Sequence, residues 1–424
     1  MKDFGFDRWG SRAVVNGRTG TDPAAVPFRS VRRARRPSDL PSVLPQAAAP
    51  VRALMSMPAL ARGVGLTCRS VLSAAAAFGY RTDLHTARST PVPEVRGLTV
   101  LSPVPVIVQS LPYGVSGRIL SDRVLHKSYL SSIGDGDIAY LWPSVPVEVF
   151  ERVARRGIPI VIEAVNTRMK TAKTLLDAAY DALGLVPGHG ITDARVAGQE
   201  ARYSIADVVM APSAATEASL QGSPLQERFI RTSYGTWVRP DIPFRPARRP
   251  NDTVTFLFVG TCCVRKGTHH LLDLWRRMPA NARLRLVGDF EPELARLYAD
   301  VLDQPNVTHA PFRTNVQAEF ERADVFVLPS IEEGDSIVTY EAASNALPVI
   351  ASPVGAGRIG QETGAIFTVD PQDGPAFEEA VIRFARHDEL RRSWGLWARK
   401  AAERYDWSLV GPRAFDALHG YFGR

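Results

Sequence analysis

Only three cysteines occur in 424 residues, Cys68, Cys262 and Cys263, and two of them are neighbours. Adjacent cysteines rarely bond each other, so no disulfide framework is expected and a reducing cytoplasm is the default compartment. Long apolar runs are equally scarce. The nearest, 98–108, is broken by Ser102, Pro103 and Pro105, well short of the roughly 20 apolar residues of a membrane helix. The first residues lack the apolar centre of a secretory signal. Eight histidines show no ligand spacing, and no metal is expected. Strong charge of one sign is missing from most of the chain. Of the net +7, residues 1–50 supply +5, from nine basic and four acidic groups, which leaves about +2 elsewhere. A body so nearly neutral argues against nucleic acid as a partner.

What remains is an ordinary globular composition, 45% hydrophobic, in a chain long enough for two α/β domains. The basic, apolar-poor tail over 1–50 is expected to be disordered. Its RRARR cluster at 32–36 suits peripheral contact with anionic lipid on an inner membrane face, although a solvated tail is the plainer expectation. A first domain is expected over 51–233, with strands near 54–60, 98–108, 138–141, 159–162 and 206–211. Helices are expected over 66–78, 147–155 and 170–183. A Pro- and Arg-rich linker over 234–252 leads to a second domain over 253–405. There, strands at 253–260, 284–287, 307–309, 325–328 and 348–351 alternate with helices at 268–277, 291–302 and 316–322. Strict alternation predicts a doubly wound parallel sheet. The segment 394–418 reads as helical, with 406–424 as a closing helix.

The richest stretch is 323–352, ADVFVLPSIEEGDSIVTYEAASNALPVIAS. A buried strand ends at Pro329-Ser330, and a polar turn carries Glu332, Glu333, Gly334 and Asp335. Ser336 then caps a helix whose apolar positions Ile337, Tyr340 and Ala343 recur at helical spacing. Such a strand brings carboxylates and a helix N-terminus to one edge of the sheet, where these folds bind ligands. A second loop, VGTCCVRKG at 259–267, ends a strand at Gly260 and opens a helix after Lys266-Gly267.

These two segments resemble the donor-binding motifs of retaining GT-B glycosyltransferases, in particular glycosyltransferase family 4 (glycosyl transferases group 1). The signature there is two glutamates separated by seven residues, between a Pro-Ser strand end and a Pro-Val-Ile-Ala strand, and Glu333 and Glu341 match it. The resemblance implies two Rossmann-like doubly wound domains facing across a cleft. It implies a nucleoside-diphosphate sugar as co-substrate, no cofactor, and a glycan or lipid-linked acceptor. By position, Lys266 would contact the diphosphate, Glu333 the transferred sugar and Glu341 the ribose hydroxyls. Gly260, Gly334, Ser336 and Ile337 would complete the donor site. Acceptor-side candidates in the first domain are Gly63, Gly65, Asn166 and Arg168. Two departures stand out: Thr261 follows Gly260 where relatives often have arginine, and Asp335-Ser336 replaces their Phe-Gly. A carboxylate beside a diphosphate is unfavourable, so Asp335 must turn away or meet the sugar. The departures leave room for a catalytically silent sugar-nucleotide-binding or scaffold protein as the alternative.

Two further motifs read as ordinary structure. Asp135-Gly136-Asp137 suits a tight turn better than a metal site. GAGRIG at 355–360 has the letters of a dinucleotide motif without its helix and distal acid, and reads as a loop over the donor.

Overall fold

The computed structural model describes residues 48–60, 63–89, 95–105, 115–241 and 252–423. The basic tail lies outside them. Two separate parallel sheets organise the chain. In the first, β1 (Val51–Met55), β2 (Thr82–Thr86), β3 (Leu98–Leu101), β4 (Ile138–Leu141), β5 (Ile160–Glu163), β6 (Val208–Ala211) and β7 (Phe229–Arg231) lie in the order 3-2-1-4-5-6-7. In the second, β8 (Val254–Val259), β9 (Ala282–Val287), β10 (Val307–Ala310), β11 (Val325–Leu328), β12 (Val349–Ala351) and β13 (Phe367–Thr368) lie in the order 10-9-8-11-12-13. Strands β4, β5, β6 and β11 are buried along their whole length. Burial on both faces explains why they read as unbroken apolar runs.

Helix α1 (Gly63–Phe78) follows β1, α2 (Met169–Ala182) follows β5 and α3 (Thr268–Trp275) follows β8. Helices α4 (Ile337–Ser344) and α5 (Gly357–Thr363) follow β11 and β12. Two long helices end the chain, α6 (Asp388–Ala402) and α7 (Trp407–Phe422). The continuous helix expected over 394–418 is interrupted at Asp406. Its carboxylate accepts from Ser408 N at 2.9 Å, capping α7, and from Val238 N at 2.8 Å. Thr236 N also donates to Tyr405 O at 3.1 Å, and Trp407 N to Thr236 O at 3.1 Å. The connector from the first domain therefore pairs with the break, and α7 passes back onto α1. There, Gly411 has no side chain because a Cβ would come within 2.5 Å of the Ala74 methyl. One buried cluster runs from Val51 and Leu72 through Phe415 and Trp407 into Tyr340 and Val349. The two sheets thus share an apolar spine through the crossing helix.

Several elements differ from expectation. The helix over 291–302 is two short ones, Pro292–Leu297 and Ala299–Leu302, because Tyr298 leaves helical geometry at φ −115°. Strand β2 and the helices Val115–Ser132 and Asp193–Ile205 are additions that the apolar pattern does not announce. The Asp-Gly-Asp segment is a turn: Asp137 accepts from Gly134 N at 2.7 Å and from Arg52 Nε at 3.0 Å.

Candidate active site

In the second sheet the strand order reverses between β8 and β11. The loops leaving their carboxyl ends diverge there, and this crevice is where open α/β sheets bind ligands. Gly260 ends β8 at φ +146°. Lys266 lies in a short 3-10 turn, Val264–Lys266, that Gly267 terminates at φ +67°. A Cβ on Gly267 would come within 1.8 Å of Pro329 O. Only glycine meets both demands, the left-handed backbone and the close approach to the end of β11. The approach sets Lys266 beside the turn after β11.

In that turn Glu333 receives the Lys266 ammonium, the Ser330 hydroxyl at 2.8 Å and Arg265 Nη2 at 3.5 Å. Burial pushes the Glu333 carboxyl up, but Lys266 and Arg265 outweigh it and hold it below its ordinary range. Its neighbour Glu332 is also buried and accepts Arg265 Nε at 2.7 Å, Thr167 N at 2.9 Å and Thr167 Oγ1 at 2.7 Å. Thr167 belongs to the first domain, so Glu332 is a clasp between domains. Arg265 completes it by donating Nη2 to Asn166 Oδ1 at 3.0 Å. Despite burial, the two carboxylates keep the guanidinium firmly charged.

Gly334 sits against the first domain, where a Cβ would come within 2.1 Å of Val165 O. Asp335 turns away from the cations and takes Tyr234 N at 2.7 Å, Tyr340 OH at 2.7 Å and Arg358 N at 2.9 Å. Burial still raises its carboxyl to about 6, the three donors offsetting only part of the cost. Ser336 caps α4 by position, but its hydroxyl makes no cap bond and is buried without a partner. The first-turn N–H groups at Ile337 lack helical acceptors. One turn on, the Glu341 carboxyl has no hydrogen-bonded partner among the described residues, and desolvation alone lifts it to about 7.

On the first-domain side, Asn166 and Thr167 meet the clasp. Arg168 does not. Its guanidinium is turned into its own domain, held by Glu200 at 2.7 Å, Gln221 O at 2.9 Å and Gly222 O at 3.2 Å. Every nitrogen is taken, which removes it as an acceptor-side candidate. Gly63 and Gly65 begin α1 at the same edge of the first sheet. A Cβ on Gly65 would come within 2.6 Å of the Leu60 backbone, whereas Gly63 faces open space. The loop expected over 355–360 is instead the start of α5, held at its first turn by the Arg358–Asp335 bond. A cavity of about 340 Å³ opens between the domains beside the clasp, lined by Asn166, Thr167, Thr261, Arg265, Glu332 and the apolar Leu176, among others. Glu332 is the site residue that sequence reasoning misses. Its partners lie 165 and 67 positions away, so no local pattern marks it.

No group of three or more metal-binding side chains occurs among the described residues, and no helix there is long and apolar enough to cross a membrane.

Two parallel sheets joined through a C-terminal crossing helix, with paired charges at the switch point of the second, define a GT-B protein. Solved structures agree with this architecture. Sucrose-phosphate synthase from Thermosynechococcus elongatus matches 88% of this chain and 99% of its own, with TM-score 0.67 and 20% identity. Anabaena HepE in complex with UDP and glucose matches 88% of this chain and 100% of its own, with TM-score 0.63 and 14% identity. Residues 253–387 match the family model "Glycosyl transferases group 1". The second domain belongs to that family. Among curated relatives, phosphatidyl-myo-inositol mannosyltransferase of Mycobacterium leprae is 32% identical over 170 residues, 38% of this chain and 44% of the relative. The matches span between 30% and 47% of the first four curated relatives.

Proposed function

We propose that the protein is a retaining, metal-independent glycosyltransferase that moves a hexose from a nucleoside-diphosphate sugar to a hydroxyl of a glycan or lipid-linked acceptor. The observation that carries this reading is the Lys266–Glu333 pair at the switch point, backed by a helix start whose serine hydroxyl is unused. As the anomeric C–O bond breaks, its electron pair passes to the diphosphate. Lys266 and the first-turn amides of α4 would stabilise that growing charge. Glu333 would accept from hydroxyls of the transferred sugar, and Glu341 from the ribose diol, a donor pair suited to a carboxylate. The acceptor hydroxyl would attack on the face the diphosphate leaves and lose its proton to a departing phosphate oxygen. Arg265 would supply the second cation that Thr261 does not.

HepE, a structural neighbour solved with UDP and glucose, supports uracil as the base, and the name of the mycobacterial relative supports a lipid-borne acceptor. A cytoplasmic protein with peripheral contact through its basic tail fits such an acceptor. The second reading, a silent sugar-nucleotide binder, draws on Val165 lying against Gly334. In that arrangement the signature turn is covered, and a donor enters only if the domains part. Nucleotide release from a panel of UDP- and GDP-sugars, with Glu333→Ala alongside, separates the two. Turnover that falls with the variant supports catalysis, and tight binding without release on any acceptor supports the silent binder.

A further inference from the structure

A second recess, of about 170 Å³, lies where the two domains and the crossing helix meet, and it shares no residue with the cavity at the clasp. It is lined by Arg231 at the end of β7 and Thr232 just beyond, by Arg358 and Glu362 of α5, and by Arg404, Tyr405 and Arg413 near the start of α7. Four arginines therefore face one glutamate. Glu362 is already engaged by Tyr405 OH at 2.7 Å and has Arg358 Nε at 3.9 Å. Arg358 is spent on Ala211 O, Thr232 O and Glu217, and Arg231 leans on Glu217 at 3.1 Å. Arg413 donates one nitrogen to Arg404 O at 2.8 Å. The Arg404 guanidinium itself makes no hydrogen bond or ion pair among the described residues. The Thr232 hydroxyl is buried away from solvent with no hydrogen-bond partner among the described residues.

A positive recess in which the Arg404 guanidinium is uncommitted and Arg413 spends only one donor has the composition of an oxyanion site. We propose that this recess binds a phosphate group, with Arg404 and Arg413 as its principal donors. Three segments of the chain line it, the end of β7, the start of α7 and, through the committed Arg358, α5. Arg358 N also holds Asp335 in the signature turn. Occupancy therefore bears on how the turn is held against the connector at Tyr234, without touching the donor residues.

The test is calorimetric titration of the full chain with inorganic phosphate against chloride at matched ionic strength, with melting temperature as the second readout. Wild type and Lys266→Ala should both bind near one equivalent at millimolar or tighter concentration. Arg404→Gln/Arg413→Gln should weaken binding at least tenfold while melting normally in chloride. Phosphate binding lost in Lys266→Ala but kept in the arginine double variant would overturn the assignment, as would no binding to wild type. Co-sedimentation with vesicles carrying phosphatidate separates the sources. Pelleting that the double variant abolishes makes the ligand a lipid headgroup, and pelleting unaffected by it, while the same variant loses phosphate binding, makes it a soluble phosphate.

Discussion

Two buried carboxyls at the ends of strands, one in each domain, have opposite electrostatics. Glu333 follows β11 and meets an ammonium and a guanidinium. Glu163 ends β5 and, among the described residues, is hydrogen-bonded only by hydroxyls, Tyr140 OH and, at 2.7 Å, Tyr234 OH. Both have lost water. In the first case the cations outweigh desolvation and keep the group ionised. In the second, desolvation wins and lifts the carboxyl to about 7. Hydrogen-bond donors alone do not replace hydration of a buried charge, whereas a formal opposite charge does. The Lys266–Glu333 pair at the second domain's edge thus remains charged, and Glu163 at the first domain's edge remains close to neutral. That asymmetry suits a cleft in which an anionic donor lies on one side and a neutral hydroxyl acceptor on the other.

Removing the cation at the charged edge should have the largest consequence. Lys266→Ala deletes the charge that the proposed function sets against the leaving group, and losing one such donor costs on the order of 10²–10³ in turnover. Steady-state release of nucleoside diphosphate measures it. Lys266→Arg should recover part of the loss if charge is what matters. An unchanged rate in the alanine variant would remove the lysine from the mechanism.

Second in size is the contact between the edges. Gly334→Ala would place a methyl group within 2.1 Å of Val165 O, and the backbone there cannot yield as a flexible side chain would. A cost of roughly 1–3 kcal/mol is expected if the domains stay together. Should they separate instead, stability is spared and small-angle scattering would show a larger radius of gyration. If neither quantity changed, the domains would not rest on each other at this turn.

The second domain is legible because its strands are buried on both faces and closed by Pro, Gly or Ser, so composition alone delimits 325–328. Strand β2, Thr82–Thr86, escapes because Asp83 and His85 interrupt its apolar run. Those polar groups are settled across the sheet and beyond it, Asp83 by Arg52 and His85 by packing edge-on against Tyr129, which periodicity does not register. Asp335 is readable in outline: electrostatics requires it to turn away or to meet the sugar, and it turns away. What it turns towards, Tyr234 and Arg358, lies 101 and 23 positions off in the chain. Arg168 looks available from sequence because nothing local announces Glu200 as its partner. The site is thus legible where neighbours in the chain supply the chemistry, and hidden where the fold does.

Replacing Glu163 tests the neutral edge. Its folded carboxyl sits near 7 against an ordinary value near 4.5, so the native state holds a proton that the unfolded chain releases first. The stability tied to that proton is full below about pH 4.5 and is lost as pH rises through about 7. Glu333, held low, acts in the other sense and loses its contribution only as pH falls through its own depressed value. Glu163→Gln should therefore flatten the decline in melting temperature between pH 5 and 8 by several degrees. Asp335, raised to about 6, and Glu341, raised to about 7, account for the slope that remains. A slope unaltered by the substitution would mean that the buried carboxyl is already ionised at pH 5.

The smallest effect is the one expected at Glu341, and it connects the neutral logic to the donor side. This carboxyl has no partner among the described residues and stands near 7 through desolvation. A ribose diol donates both hydroxyls most strongly to the ionised form, so bound nucleotide would favour loss of its proton. UDP affinity should then rise between pH 6 and 8 and level off above that, by up to about tenfold for one proton released per site. In Glu341→Gln the affinity should be weaker at pH 8 and nearly independent of pH across the same window. Calorimetry in buffers of different ionisation enthalpy counts the proton directly. If wild type released none, Glu341 would be a desolvated residue of the helix face, and the ribose would have to be held by other groups.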